Sequence, residues 1–249
     1  MSNRFCYNSG VGSRHFLQER YLRVLEKQKQ SGRLIAIGDI HGHKLALQAL
    51  LAQISPGKSD TIVTLGDYVN RGPDSCGVIE TLLTLQGRCR LIPILGNHEE
   101  MMLDSQDDCH AEQRWRYQGG ETTLQSYGED TGVNQIPQEH WDFLSHCSPY
   151  YETEPFIFTH ANYCWYSSLD QQPPSLLRWL SLEESEPRPH ISGKKVILGH
   201  TPGDIREYNF CCCIDTGCGF GGLLTAMDVN SKEIWQVTES GEIVTSDIS

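Results

Sequence analysis

Short apolar runs, each closing on glycine and then a polar residue, organise the first hundred residues. RLIAIGD ends at Asp39, TIVTLGD at Asp67 and RLIPILGN at Asn97. Ile, Leu and Val in brief unbroken runs bounded by Gly predict strands buried on both faces. Between them, KLALQALLAQI and SCGVIETLLTL carry apolar residues at helical spacing. Pro73 and Asp74 precede the second, where a fixed φ and an acidic side chain suit a helix start. The steps from Asp39 to Asp67 and on to Asn97 each match one βαβ unit. Strands paired that way put their carboxyl ends on one sheet edge, where open α/β sheets bind ligands. Asp39, Asp67 and Asn97 are therefore expected to lie together.

Residues 101–150 are polar, with helical spacing around AEQRWRYQ and PQEHWDFLSH, and predict a helical insertion that shapes one wall of a cleft. Strand-like runs follow in PFIFTHA and KKVILGHT, which end in His160 and His200, and in the long stretch from Phe210 through Val229. EIWQVTE predicts an edge strand. The whole reads as one α/β domain with mixed sheets over residues 1–249, in which 1–32 form an N-terminal extension. No repeat, low-complexity tract or linker divides it.

At 249 residues, with 38% hydrophobic positions and mean hydropathy −0.41, the chain can bury an ordinary core. A net charge of −12 weighs against a nucleic-acid partner, because phosphate-backbone affinity needs clustered Lys and Arg. No apolar run has signal-peptide or membrane-span length, so a cytoplasmic protein with no membrane partner is expected. In that reducing setting the ten cysteines are expected as free thiols. Cys211, Cys212 and Cys213 alternate faces on a strand, so they cannot converge on one metal and are expected as small buried residues.

Seven residues at the run ends carry chemistry: Asp39, His41, Asp67, Asn97, His98, His160 and His200. Singly, each has a structural reading as a turn, a cap or a hydrogen-bonded histidine. Together, two carboxylates, an amide and four imidazoles on one edge require a compensating charge, which divalent cations supply. Oxygen and imidazole donors without thiolate suit Mn, Fe, Zn or Ni. The donors outnumber what one ion needs, which favours two ions about 3.5–4 Å apart. Asp67, central among the donors, is the candidate bridge.

GDIHG (38–42), GDYVNRG (66–72), GNHE (96–99), THA (159–161) and GHTP (199–202) resemble, in order, the motifs of the phosphoprotein-phosphatase branch of the metallophosphoesterases. The resemblance covers roughly residues 33–229. WRYQGGETTLQSYG (115–128) and IDTGCGFGGLLTAMDV (214–229) resemble the bacterial members. It implies a β-sandwich of mixed sheets flanked by helices, with a dinuclear metal site, manganese foremost, at strand carboxyl ends. Asp39 and His41 would bind the first metal, Asp67 both, and Asn97, His160 and His200 the second. Asn97 would also face the phosphate. Arg71 would grip the phosphoryl oxygens with its donor fork, and Arg178 is the positional match for a further family arginine. His98 would be general acid toward the leaving oxygen. Asn70 departs from the Asp common in this branch (GDYVDRG). It can orient His98 but cannot stabilise an imidazolium by charge. Glu99 is expected to orient the following helix, and His43 to sit at a helix start.

The resemblance implies hydrolysis of phosphoserine and phosphothreonine in a protein or peptide partner, by direct attack of a hydroxide bridging two cations. A bis(5′-nucleosyl)-tetraphosphatase is the alternative: such dinucleotide hydrolases also lack that Asp, although GDY and GNHE lean to the first reading and GDLVARG and GNHD to the second. A non-catalytic phosphate-binding scaffold is the remote third.

Overall fold

Parallel pairing in the first third of the chain follows directly from its strand–helix alternation. The computed structural model describes residues 32–245, so the predicted N-terminal extension lies outside the described residues, Gly32 excepted. Strands β1 (Leu34–Ile37), β2 (Thr61–Thr64) and β3 (Arg90–Pro93) pair in parallel, Ile35 opposite Ile62 and Ile62 opposite Leu91. The helices between them, α1 (Lys44–Ile54) and α2 (Ser75–Gln86), coincide with the two predicted helical runs. Asp74 caps α2, its carboxylate accepting from Gly77 N at 2.8 Å. β9 (Leu223–Asp228) and β10 (Ile234–Thr238) extend this sheet antiparallel, in the order β10-β9-β1-β2-β3, with the predicted EIWQVTE strand at the edge.

The second sheet has the order β4-β5-β6-β8-β7. Its centre is parallel: β5 (Phe156–Phe158), β6 (Lys195–Leu198) and β8 (Cys211–Cys213). The two-residue strands β4 (Tyr151–Glu152) and β7 (Arg206–Glu207) close its edges antiparallel. The stretch from Phe210 to Val229 therefore splits into β8 and β9, one in each sheet. Between them lies the run GCGFGG, in which Gly217, Gly219 and Gly221 adopt positive φ that ends the extended backbone.

Three apolar clusters stack the layers. Ala36, Val63, Leu65 and Ile94 from the first sheet meet Phe156, Phe158, Ile197, Cys212 and Ile214 from the second. The outer face of the first sheet, Ile35, Ile37 and Ile62, packs on Leu47, Leu50, Ile79 and Leu82 of α1 and α2. The outer face of the second, Ile157, Val196, Leu198, Cys211 and Cys213, packs on Leu169, Leu177 and Leu182. The cysteine triplet is thus split by strand alternation between two clusters, all three thiols fully buried. The architecture is a sandwich of two mixed sheets flanked by helices.

The predicted insertion holds α3 (Asn97–Asp104), α4 (Cys109–Trp115), α5 (Glu121–Ser126) and α6 (Gln138–Ser145). α4 and α5 are joined by one π-helical turn, Arg116–Gly120, in which Gly119 has φ 98. α7 (Pro174–Trp179) lies on the side of the second sheet, its Leu177 in that sheet's outer cluster. Among the described residues, no helix is long and apolar enough to cross a membrane.

Candidate metal centre and active site

The residues that close the strands of both sheets converge. Asp39 and His41 follow β1, Asp67 follows β2, His160 follows β5, and His200 follows β6. Asn97 differs from the sequence expectation: β3 stops at Pro93, and Asn97 is the first residue of α3, with His98 the second. Of the eight non-glycine residues with left-handed φ among the described residues, five are here: His41, Asp67, Asn70, Arg71 and His200. Such backbone costs energy and persists where the surroundings hold it. Two glycines make room. A side chain at Gly96 would collide with the Asp67 carboxylate, and one at Gly199 with that of Asp39. Hence both motifs need glycine before their functional residue.

The imidazole protons are committed away from the centre. His41 Nδ1 donates to Val69 O at 3.2 Å, His160 Nδ1 to Leu65 O at 2.8 Å, and His200 Nε2 to Trp179 O at 3.0 Å. The opposite nitrogens therefore point lone pairs inward. His160 Nε2 and His200 Nδ1 face each other at 3.1 Å, with Asn97 Oδ1 2.9 Å from His160 Nε2. Three acceptors with no donor between them make a cation site. Asp67 reaches both sides: Oδ1 lies 3.4 Å from His160 Nε2, while Oδ2 lies 3.5 Å from His41 Nε2. Two overlapping groups, His41–Asp67–His98 and Asp67–His160–His200, each have ligand-type atoms close enough to hold an ion. These donors thus fit two divalent cations sharing Asp67.

Electrostatics carry the same message. Burial, and then the charges of Asp215 and Asp67, push the Asp39 carboxyl well above the usual carboxylate range. Burial raises Asp67 to about 7 and Asp215 to about 6. Burial lowers His160 to about 4 and His200 to about 3, and holds His41 well below its usual value. Asp215 follows β8, buried, and its Oδ1 accepts from Gly217 N at 3.0 Å. The sequence reading passed over it, although CCCID repeats the strand-then-Asp signature.

The metal-free chain should therefore gain stability as pH falls from 8 to 6.5. Carboxyls whose folded pKa is raised bind protons in the native state before the unfolded chain does, so stability drops as pH rises through 6 to 8. Below 6.5 the neutral buried histidines reverse the trend, because the unfolded chain then takes up protons that they refuse. Melting scans in chelator across pH 5–8.5 check this, and added manganese should raise the midpoint most at the alkaline end, where the ligands are deprotonated. A midpoint flat from 8 to 6.5 would contradict it.

Around the centre stands a second layer. Asn70 is fully buried, and its orientation is fixed: Trp115 Nε1, a donor only, gives its proton to Asn70 Oδ1 at 3.0 Å, and Thr123 Oγ1 donates to the same atom at 2.9 Å. The amide nitrogen therefore faces His98 and donates to Nδ1 at 2.6 Å. His98 must carry its proton on Nε2, which lies 3.9 Å from Asp67 Oδ2. Burial, and then the charge of Arg71, hold its pKa well below the ordinary range, so the ring is neutral.

Glu99 is fully buried and accepts from four backbone N–H groups: Asp67 at 2.7 Å, Tyr68 at 2.7 Å, Val69 at 3.2 Å and Gly96 at 3.0 Å. It ties the start of α3 to the loop after β2. Tyr68, also buried, gives its hydroxyl proton to Ile94 O at 2.5 Å.

Arg71 lies against His41 Nε2, and its guanidinium covers the Phe220 ring at 4.1 Å. Arg178 sits in α7 with one nitrogen on the Glu100 carboxylate, whose other oxygen accepts from Trp179 Nε1 at 2.5 Å. Its Nε is buried with no hydrogen-bond partner. His43 is the residue preceding α1, 3.6 Å from Glu239, as a helix-start residue would be.

Comparison with known proteins agrees with this geometry. A symmetrical bis(5′-nucleosyl)-tetraphosphatase of Pseudomonas fluorescens is 27% identical over 272 residues, covering 80% of this chain and 88% of that protein. Serine/threonine-protein phosphatase 1 of Salmonella typhimurium is 27% identical over 224 residues, covering 84% and 96%. The crystal structure of a putative diadenosine tetraphosphatase superposes with TM-score 0.65 at 23% identity, over 84% of this chain and 94% of that one, a likeness of fold. The sequence profile of the calcineurin-like phosphoesterases matches residues 32–204 and so spans every cluster residue described above except Asp215. The chain belongs to that family and is a metal-dependent phosphoesterase.

Proposed function

We propose that the chain hydrolyses a phosphoanhydride, and specifically a bis(5′-nucleosyl) tetraphosphate. The observation that carries this reading is the neutral Asn70–His98 pair. When serine or threonine leaves phosphorus, the departing oxygen is an alkoxide nearly as basic as hydroxide, whose acid, water, has a pKa of 15.7. Such a group calls for a proton in the transition state. When a nucleoside diphosphate leaves, the departing oxygen belongs to a phosphoryl group that titrates near pH 6, and a hydrogen bond suffices. His98, neutral and held with Nε2–H outward, offers that hydrogen bond. It works as a neutral imidazole beside a helix N-terminus, a placement known to favour the uncharged ring.

Bound divalent cations would supply neutralising charge at the phosphoryl oxygens and acidity for the attacking water. Asp39, His41 and Asp67 would hold one, and Asp67, Asn97, His160 and His200 the other; a donor set of oxygen and imidazole without thiolate suits manganese, iron, zinc or nickel. Arg71 binds the phosphoryl oxygens through its fork, its plane set by Phe220. Arg178, tied to Glu100, stands at the rim of the same charge. Tyr68 and Glu99, which distinguish the GDY and GNHE motifs, spend their polar atoms on backbone, so neither speaks for a protein substrate. The Pseudomonas relative supports the same choice.

The test is a parallel assay of manganese-loaded protein on diadenosine tetraphosphate and on a phosphoserine peptide. The dinucleotide should be cleaved symmetrically to two diphosphates with kcat/KM higher by about two orders of magnitude, the share a general acid contributes. Efficient turnover of the peptide alone would sink the reading. That outcome is the second reading, a serine/threonine phosphatase, favoured by the Salmonella relative matching over 96% of its length.

Asn70→Asp gives a sharper result. Trp115 and Thr123 would keep one carboxylate oxygen, and the other would accept from His98 Nδ1–H. An opposite charge in contact favours the imidazolium, by about 1–3 pKa units. Peptide or alkyl-phosphate hydrolysis should rise about tenfold or more, with a descending alkaline limb that moves up in pH because the active form is protonated. Dinucleotide turnover should hardly change. A pH–rate profile identical to that of the natural protein would rule out the pairing.

A further inference from the structure

We infer that a groove beside the metal centre, between α3, α4 and α7, is a nucleoside subsite that takes the base and ribose of the substrate; this rests on the phosphoanhydride reading. The groove encloses about 610 Å³, within the range of small-molecule sites. Met101 and Asp104 of α3 line it, and Asn97 of the centre stands one turn before Met101 on the same helix face. Its floor and wall are joined to the catalytic groups. Trp115 beneath it binds Asn70, which holds His98. Trp179 at its side accepts from His200 through its carbonyl. The π turn that carries Tyr117 and Gln118 rests on Arg71: a Cβ added at Gly119 would lie 3.1 Å from Arg71 N.

The lining suits a base better than a peptide. Tyr117 is 90% exposed and Trp179 41%, two aromatic rings that line the groove with open surface. A heteroaromatic base stacks on such faces. Gln118 and Asp104 add an amide and a carboxylate, the groups that read the donors and acceptors of a base edge. Lys and Arg, which would draw a polyphosphate away from the metals, are represented in the lining by Arg114 alone. No strand borders the groove, so an extended peptide finds no backbone ladder there.

Equilibrium dialysis and kinetics on the manganese-loaded full chain test this. The natural protein should bind adenosine 5′-monophosphate about tenfold tighter than ribose 5-phosphate, the fold-change a single stacked base contributes. Tyr117→Ala should abolish that difference and raise KM for diadenosine tetraphosphate about tenfold, leaving KM for a small aryl phosphate unchanged. Tyr117→Phe, which keeps the ring, should restore both. Equal binding of the two monophosphates, or a preference untouched by Tyr117→Ala, overturns the subsite. A variant that weakens an aromatic-flanked phosphopeptide, with no effect on the nucleotide, overturns it in favour of a peptide groove. If the dinucleotide proves no substrate yet the base preference vanishes in Tyr117→Ala, the subsite stands and the reaction assignment fails. Dinucleotide cleavage with no dependence on Tyr117 gives the converse.

Discussion

Asp67→Asn should lower kcat by about a thousandfold while leaving the metal-free protein as heat-stable as before, or more so. The two carboxylate oxygens face different imidazoles, Oδ1 toward His160 and Oδ2 toward His41. An amide can offer its oxygen to only one of them. Polarisation of phosphoryl oxygens by a bound cation is worth several kcal/mol, and each 1.36 kcal/mol is tenfold in rate. The backbone should not suffer. Asn tolerates the left-handed φ of 52 found here, and its Oδ1 can still accept from His98 N, now at 3.1 Å. Removing one of several buried like charges should if anything stabilise the empty site. Elemental analysis should show two metals per chain falling to one or fewer. Full occupancy with full activity would remove Asp67 from its bridging role.

His98→Asn should cost about thirtyfold on phosphomonoesters with poor leaving groups, where the Nε2–H hydrogen bond meets the most basic departing oxygen, and less on the dinucleotide. The new amide oxygen falls where Nδ1 was, so Asn70 keeps its acceptor, whereas nothing remains in place of Nε2–H. Across a series of aryl phosphates, the plot of log kcat against phenol pKa should steepen in the variant. A loss that is equal along the whole series would mean that His98 binds the ground state and takes no part in departure of the leaving group.

Much of this site was legible because the chain repeats one device: a short buried strand followed, two or three residues past its end, by a side chain with chemistry. Asp39, Asp67, His160 and His200 all follow it, and parallel pairing gathers them. Asn97 broke the device, since it opens a helix four residues beyond its strand, yet it arrives at the same place. Asp215 obeyed the device and was hidden by the unusual cysteines before it. What holds Asn70 could not be read from periodicity: Trp115 and Thr123 lie 45 and 53 residues away, beyond any local pattern. The division of Phe210–Val229 between two sheets was equally unreadable, because strand propensity does not say which neighbour a strand will choose.

The parallel strands that deliver the ligands belong to two different sheets, with Asp39, Asp67 and Asn97 supplied from one and His160 and His200 from the other. A cation seated between them is thus a stitch across a seam. Neither half of the chain inherits a weaker copy of the reaction. A fragment ending before β5 would keep both carboxylates and the amide, lose the facing imidazoles, and have no chemistry to refine.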